Sequence, residues 1–435
     1  MNSNRPEDFV DTAVSESAGN VVVLGRQRAD KAFVVRDFLE RNVVPYAWHD
    51  MNRSEHARVL AERLGMSGDV AVTVVLPDCR VLHDPSLIDL ALALDLTCPA
   101  QSDTYDLVIV GGGPAGLACG VYAGCEGMGV VMIEDDAPGG QAGSTSRIEN
   151  YLGFPTGVGG AELARRALTQ AKGFGVEWLS ARVANRLTIE GDWRAVELAD
   201  GSVIRGRAVL IATGMQWRRH PAPGVDRFVN AGVYYGSCLS EAATVADEDV
   251  FMVGAGNSAG QAALAFAEYA RSVTMLVRTA DLDTMSHYLV ERIKACPNIS
   301  VRTRTEVVES LGDTALAGLV LRDGVSGATE TVPAAALYLL IGAKPSTEWC
   351  SDLIGCDDHG FVLTGSDVLR NDQRLPIPWP AGRDPLLMET NVPGVFAAGD
   401  VRSGSVKRVG SAIGQGAVAL QAINEYFASR VTVNG

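Results

Sequence analysis

The chain has 435 residues, with 37 Lys plus Arg against 52 Asp plus Glu and a net charge of −15. Hydrophobic residues make up 47% and charged residues 20%, enough for a large core and, at about 100–200 residues per domain, for several domains. The acidic balance excludes a nucleic-acid-binding face, no apolar run approaches the ~18 residues of a membrane span, and the outlier is glycine, 47 residues or about 11% against a usual ~7%.

The start, MNSNRPEDFVDTAVSE, is polar and acidic and unlike a signal peptide, so the cytoplasm is the expected location. Residues 1–19 are expected to be disordered. The cysteines at 79, 98, 119, 125, 238, 296, 350 and 356 form no C-x-x-C pair, and the histidines form no H-E-x-x-H, so no metal site is expected.

From Asn20 the pattern changes. VVVLG reads as a buried strand. Residues 30–42 read as an amphipathic helix with Phe33, Val34, Phe38 and Leu39 on one face. VVPYAWHD is a second strand, and residues 54–65 a helix opened by Ser54 and ended at Gly65. Strands AVTVVLP and RVLH and a helix at 85–95 complete the unit. This order resembles the thioredoxin/glutaredoxin fold over residues 20–96. Where that fold carries C-x-x-C, this chain has Arg26, Gln27 and Arg28, and its cis-proline position falls at Thr73. The domain therefore reads as redox-inactive, with a docking or dimer role. Residues 97–104 read as a short polar linker.

Residues 105–110 (YDLVIV) are an apolar strand, and GGGPAG follows at once. Gly111 permits the tight turn, Gly113 lets a pyrophosphate approach the backbone, and Gly116 lets helix and strand pack closely; Pro114 and Ala115 open the helix. VVMIE ends in Glu134, placed to accept ribose hydroxyls. A second copy of the same logic starts at strand 249–253. Gly254, Gly256 and Ala259 frame Asn257 and Ser258, and a helix is expected to run to about Arg271. After the next strand, SVTMLVR, the acid position is Val277, followed by Arg278. Loss of the carboxylate and gain of a cation favour a 2′-phosphate, hence NADPH over NADH. Two dinucleotide sites in one chain point to FAD plus NADPH.

From residue 105 onward the chain resembles the low-molecular-weight thioredoxin reductases, which have the class II pyridine nucleotide-disulfide oxidoreductase fold. GGQ (Gly139, Gly140, Gln141) and IENYLGFP (Ile148 to Pro155) match its flavin-side segments. IATG (Ile211, Ala212, Thr213, Gly214) marks the crossing into the NADPH domain, and IGAKPST, with Gly342, the return. The resemblance implies that Asn150, Gly140, Gln141, Gly399, Asp400 and the Lys407, Arg408, Val409 segment contact FAD. It also implies that a helix from about Ser411 points its N-terminus at the flavin. The architecture it implies is α/β. Two Rossmann-like domains, FAD at 105–219 and 339–435 with NADPH at 220–338 inserted, follow the N-terminal thioredoxin-like domain, and homodimers are expected.

The family's redox-active C-x-x-C precedes its NADPH fingerprint. Here the segment is GVYYGSCLSEA, with Gly236 and Leu239 at the cysteine positions and Cys238 alone between them. One thiol cannot close an intramolecular disulfide. Cys238 reads either as a thiol near the flavin or as a packing residue, and Tyr234 and Tyr235 either line the vacated place or belong to the core. A further departure is Asp367 to Leu387, with Pro376, Pro378, Pro380 and Pro385, which reads as a rigid exposed loop.

The reading is an oxidoreductase in which NADPH reduces FAD, and FAD passes electrons to a small-molecule or redox-protein acceptor without a dithiol relay. Alternatives are a ferredoxin/flavodoxin–NADP reductase-like donor, a disulfide oxidoreductase using Cys238, and a non-catalytic flavin-binding sensor or assembly component.

Overall fold

The computed structural model of the chain describes residues 20–26, 30–66, 70–143, 148, 151–229, 231–236, 245–380 and 382–431. It divides into two units, Met1–Gly214 with Pro345–Gly435, and Met215–Lys344. The second unit reaches a few residues beyond 220–338 on each side, because Met215–Trp217 and Ala343–Pro345 pair as strands.

In the first unit, the unbroken apolar run VVVLG forms β1 (Val21–Gly25), buried throughout. It lies parallel to β2 (Tyr46–Asp50) and antiparallel to β3 (Val72–Val75), which pairs antiparallel with β4 (Val81–His83) in the order β2-β1-β3-β4. Helix α1 (Asp30–Arg41) buries Ala32, Val35, Phe38 and Leu39. Val34 instead faces solvent, because Val35 is the residue in i+3, i+4 register with Phe38 and Leu39. The Phe33 side chain lies outside the described part. Ser54 caps α2 (Glu55–Arg63) by accepting the Ala57 N–H at 3.2 Å, and Ser86 caps α3 (Leu87–Ala93). Thr73 sits inside β3 rather than ahead of it, paired with Leu24 and His83. Arg26 is exposed; Gln27, Arg28 and residues 1–19 lie outside the described residues.

The segment expected as a plain tether is docked. Thr97 is buried, and its Oγ1 accepts the Ser180 N–H at 2.9 Å. Ala181 packs into the core of the N-terminal sheet. The module of residues 20–96 thus belongs to the first unit.

Strand β5 (Thr104–Val110) runs into α4 (Pro114–Cys125) and β6 (Val130–Ile133), followed by the turn α5 (Gly140–Gly143) and α6 (Gly160–Gly173). Strands β7 (Glu177–Leu179), β8 (Ala184–Glu190), β9 (Trp193–Leu198) and β10 (Val203–Ile211) complete the order β7-β6-β5-β10-β9-β8. β7, β6, β5 and β10 are parallel; β8 and β9 form an antiparallel flank. Two apolar clusters cover the two faces of the parallel part, as a doubly wound sheet requires.

The second unit begins with β11 (Met215–Trp217) and β12 (Val233–Tyr235). Its parallel sheet adds β13 (Asp249–Val253), α7 (Asn257–Phe266), β14 (Ser272–Val277), α8 (His287–Ala295) and β15 (Ile299–Thr303). Antiparallel strands β16 (Thr305–Gly312), β17 (Leu316–Asp323) and β18 (Thr329–Pro333) precede β19 (Ala336–Leu339) and β20 (Ala343–Pro345). The order β12-β19-β13-β14-β15 is a second Rossmann-like sheet. Helix α7 ends at Phe266, about one turn short of Arg271, which instead ion-pairs with Asp249.

The chain then returns to the first unit through α9 (Ser366–Arg370), β21 (Val395–Ala397), which pairs in parallel with β10, and α10 (Val409–Val431). α10 starts two residues before Ser411. It packs on α4 so closely that a Cβ on Gly416 would stand 2.2 Å from the Ala115 carbonyl oxygen. The proline stretch exposes Pro376, Pro378 and Pro380 and is anchored at its far end. Arg383 makes a bidentate pair with the fully buried Glu389 at 2.6 and 2.7 Å, and Trp379 Nε1 donates to the Arg383 carbonyl.

Candidate functional site

The first site grows from the end of β5. Gly111 has φ +107°, and a Cβ there would stand 2.4 Å from the Ala212 carbonyl oxygen, so the IATG strand end and the glycine turn touch backbone to backbone. A Cβ on Gly116 would stand 2.0 Å from the Gly111 carbonyl oxygen. Gly113 caps α4 with no side-chain hydrogen bond and has no heavy atom within 4 Å of its Cβ position. Pro114 at the first turn and the positive end of α4 leave an open anion cradle there, with Ala115 buried beneath it.

Glu134 follows β6 and is 5% exposed. Its Oε2 accepts the Gly112 N–H at 2.6 Å and its Oε1 the Asp136 N–H at 3.2 Å. Burial, followed by repulsion from Asp135, pushes its carboxyl well above the usual range, and the Gly112 bond and Arg41 oppose this. Gly139 donates to the Gly112 carbonyl at 2.8 Å, which brings Gly140 and Gln141 beside the turn. Thr213 Oγ1 donates to the Ser346 carbonyl at 2.7 Å, and Gly214 accepts the Ser346 N–H. Asn150 lies outside the described residues.

Gly399 and Asp400 follow β21. Asp400 Oδ1 is buried and meets no hydrogen-bond donor among the described residues; burial raises its carboxyl pKa, with Lys407 opposing. Lys407 Nζ donates to the Asp400 carbonyl at 2.6 Å and lies 4.2 Å from the Phe361 ring centroid. Arg408 is exposed, and Val409 begins α10. The uncapped cradle at Gly113, the carboxylate beside it and the orphaned buried oxygen of Asp400 fit the phosphate, ribose and ribityl parts of FAD.

The second site lies wholly in the second unit. A Cβ on Gly254 would stand 2.8 Å from the Leu340 carbonyl oxygen and 3.0 Å from the Ala259 Cβ. Gly256 caps α7 with no side-chain bond and open space around it. Asn257 and Ser258 are exposed at the first turn, and Asn257 Oδ1 accepts the Ser286 N–H at 2.7 Å. Gly254 and Gly256 line a cavity of about 750 Å³ together with Arg278, Arg218, Arg219 and His220. Arg278 is exposed and makes no ion pair among the described residues. Gly342 accepts the Arg218 N–H at 3.1 Å.

The residues around the vacated cysteine positions, Cys238 and Tyr235 being the candidates for catalysis, divide. Tyr235 is half-buried; its hydroxyl oxygen accepts the His220 N–H at 2.9 Å, and the Arg219 guanidinium lies 5.3 Å from its ring. Tyr234 stacks on Tyr338 at 5.0 Å and belongs to the core. Cys238 and Leu239 lie outside the described residues. Gly236 has φ +83°, and a Cβ there would stand 2.8 Å from the Trp217 ring. Among the described residues no cluster of three metal-ligating side chains occurs, and no helix is long and apolar enough to cross a membrane.

Comparison with known proteins settles the family. The sequence pattern of the pyridine nucleotide-disulphide oxidoreductases matches residues 105–416. The chain belongs to that family. It is 30% identical over 330 residues to the thioredoxin reductase of Streptomyces clavuligerus, covering 76% of this chain and 96% of that one. It is 28% identical over 318 residues to a component of the alkyl hydroperoxide reductase of Staphylococcus epidermidis, covering 73% of this chain but only 58% of that protein's length. The crystal structure of thioredoxin reductase from Streptococcus pyogenes has a TM-score of 0.60 at 28% identity, covering 75% of this chain and 99% of that one. The family is one of oxidoreductases that use FAD and NAD(P)H.

Family motifs do not mark several residues of these sites. Gln415 is buried in α10; its Oε1 accepts the Gly399 N–H at 2.9 Å and the Arg402 Nε–H at 3.2 Å, fixing the turn that carries Asp400. Arg218 and Arg219 line the cavity beside the Gly254–Gly256 turn from the stretch just after IATG. Their signal is the run Arg-Arg-His, which falls outside either glycine fingerprint.

Proposed function

We propose that this protein is an NADPH-dependent FAD oxidoreductase that passes electrons directly to a small-molecule or redox-protein acceptor, without an internal dithiol relay. Bound FAD would supply the chemistry of accepting a hydride from NADPH and releasing electrons onward. The chain's own residues bind and orient. The Gly113 cradle and α4 N-terminus hold the pyrophosphate, Glu134 accepts from the adenosine ribose, and Asp400 accepts from the ribityl hydroxyls. The N-terminal end of α10 turns its positive potential toward the flavin. In the second unit the Gly256 cradle holds the other pyrophosphate, and Arg278 pairs with the 2′-phosphate that distinguishes NADPH.

The observation that carries the absence of a relay is Gly236. It stands where the family's first relay cysteine is expected, at a positive φ and against the Trp217 ring. The N-terminal module we read as thioredoxin-like but without redox chemistry, on its β2-β1-β3-β4 order and on the missing C-x-x-C. Its role in this reading is docking.

Anaerobic stopped-flow of the FAD-loaded chain with NADPH tests the proposal. Bleaching of the flavin band is expected, with no more than one flavin equivalent of electrons taken up. Uptake of a second pair of electrons, with a new titratable dithiol, would overturn the relay-free reading. An acceptor screen with oxygen, quinones, disulfides, imines and ferredoxin then names the acceptor class.

A further inference from the structure

The sequence E-D-D at Glu134, Asp135 and Asp136 places three carboxyl groups at the ribose end of the flavin site. Glu134 is buried there, and an ionised carboxylate so placed needs a compensating cation or donors. Among the described residues, the ion pair to this trio comes from the N-terminal module. Arg41, the last residue of α1, pairs through Nη1 with the Asp136 carboxylate. Its Nη2 donates to the Gly140 carbonyl at 3.4 Å. Arg41 thus spans two loops that both grip the glycine turn. Asp136 donates its N–H to Glu134, which accepts from Gly112, and Gly139 donates to the Gly112 carbonyl. The Asp136 carbonyl is held in turn by Ser180 Oγ at 3.1 Å, beside the Thr97 contact that docks the module.

We propose that the N-terminal module is a clamp on the FAD site, with Arg41 as the positioning residue that holds the Glu134–Asp136 loop and the Gly139–Gly143 turn in the spacing needed to keep FAD. This rests on the flavin reading above. The module, which has no C-x-x-C pair, thereby gains a function: it sets cofactor retention. Linkage makes the effect reciprocal, so bound FAD tightens the docking of the module by the same factor.

The test uses the full chain, wild type and Arg41→Ala, Arg41→Lys and Arg41→Gln, stripped of flavin and titrated with FAD by fluorescence, with melting curves of apo and loaded protein. Arg41→Ala is expected to raise the FAD Kd roughly 5- to 50-fold, within the usual span of coupling between two parts of a protein. Arg41→Lys recovers only part of the affinity, because it restores the charge but carries one nitrogen where the guanidinium reaches both loops. The melting point of the loaded protein falls further than that of the apoprotein. If Arg41→Ala does not fold, Arg41→Gln is read in its place. A Kd within about twofold of wild type, inside the scatter of such comparisons, overturns the clamp. Equal falls in apo and loaded melting points overturn it too, because they are what a merely structural contact produces. A wild-type chain that takes up no FAD overturns the flavin reading itself, an outcome distinct from a wild type and an Arg41→Ala variant that bind FAD equally well.

Discussion

Trp217 occupies the space that a side chain at position 236 would need: its Cζ2 lies 2.8 Å from the Cβ position of Gly236. The backbone there has φ +83°, which L side chains adopt only under strain. Restoring a cysteine at this position is therefore not a simple reversal. Gly236→Cys is expected to cost about 2 kcal/mol from positive-φ strain and overpacking against the indole. Thermal melts check this. The pair Gly236→Cys with Leu239→Cys is expected to titrate two more free thiols than wild type after oxidation. A closed disulfide with unchanged melting would show that Trp217 yields easily.

With Asp400 as the proposed ribityl acceptor, its effects on stability and on cofactor binding have opposite signs. Its buried Oδ1 has no donor among the described residues, and burial raises its pKa above the ordinary value of 3.8. A carboxyl raised on folding binds its proton more tightly in the native state, so apoprotein stability falls as pH rises from the unfolded value through the native one. Asp400→Asn is expected to raise the apoprotein melting point at neutral pH, with the gain fading as pH drops toward the ordinary carboxyl range. The same change is expected to weaken FAD binding about tenfold by removing a charged acceptor. An apoprotein no more stable at neutral pH than wild type would contradict the buried-charge account.

Much of this is readable from local pattern. The two glycine turns announce themselves because close backbone approach leaves few residue types possible, Glu134 because it ends the strand that follows the first turn, and Ser54 and Ser86 because they cap their helices by local chemistry. Pattern fails where the deciding partner is distant. Arg41 lies 95 residues from Asp136, and nothing near either marks the pair. Gly236 reads as a mere loss of cysteine until Trp217, from another strand, is seen to fill its space. The proline stretch is exposed at Pro376, Pro378 and Pro380 as its composition suggests, but its anchor, Glu389, looks like any acidic residue in sequence. Val34 is misplaced by pattern because Phe33, Val34 and Val35 are consecutive apolar residues on a helix that buries only one face.

In the proposed function the nicotinamide preference turns on Arg278. It is exposed, lines the cavity beside the Gly254–Gly256 turn and makes no ion pair among the described residues, so its loss leaves nothing buried unpaired. Arg278→Ala is expected to raise the KM for NADPH roughly 10-fold or more and to leave kcat and the KM for NADH within about twofold, the pattern of lost uniform binding. Steady-state kinetics with both nucleotides, at low and moderate salt, check it. Equal losses with NADH would assign Arg278 to the pyrophosphate instead. Arg218 and Arg219 would then be the residues to change for 2′-phosphate selectivity.

Arg383 and Glu389 carry the stability of the proline stretch. Glu389 is fully buried and accepts four hydrogen bonds, two from Arg383, one from Leu386 N at 2.8 Å and one from Gly394 N at 3.1 Å. Removing the guanidinium leaves a buried carboxylate without its cation. Arg383→Ala is expected to cost about 3 kcal/mol, because breaking one side of a buried pair exposes the full desolvation penalty of the other. Glu389→Gln keeps the shape and the Leu386 N–H bond and removes the charge, so the single change costs less, and Arg383→Ala with Glu389→Gln together cost less than the sum of the two. Chemical denaturation of the four proteins completes the cycle. Purely additive losses would show that Arg383 acts through its packing on Trp379, 5.2 Å from the ring centroid, rather than through the pair.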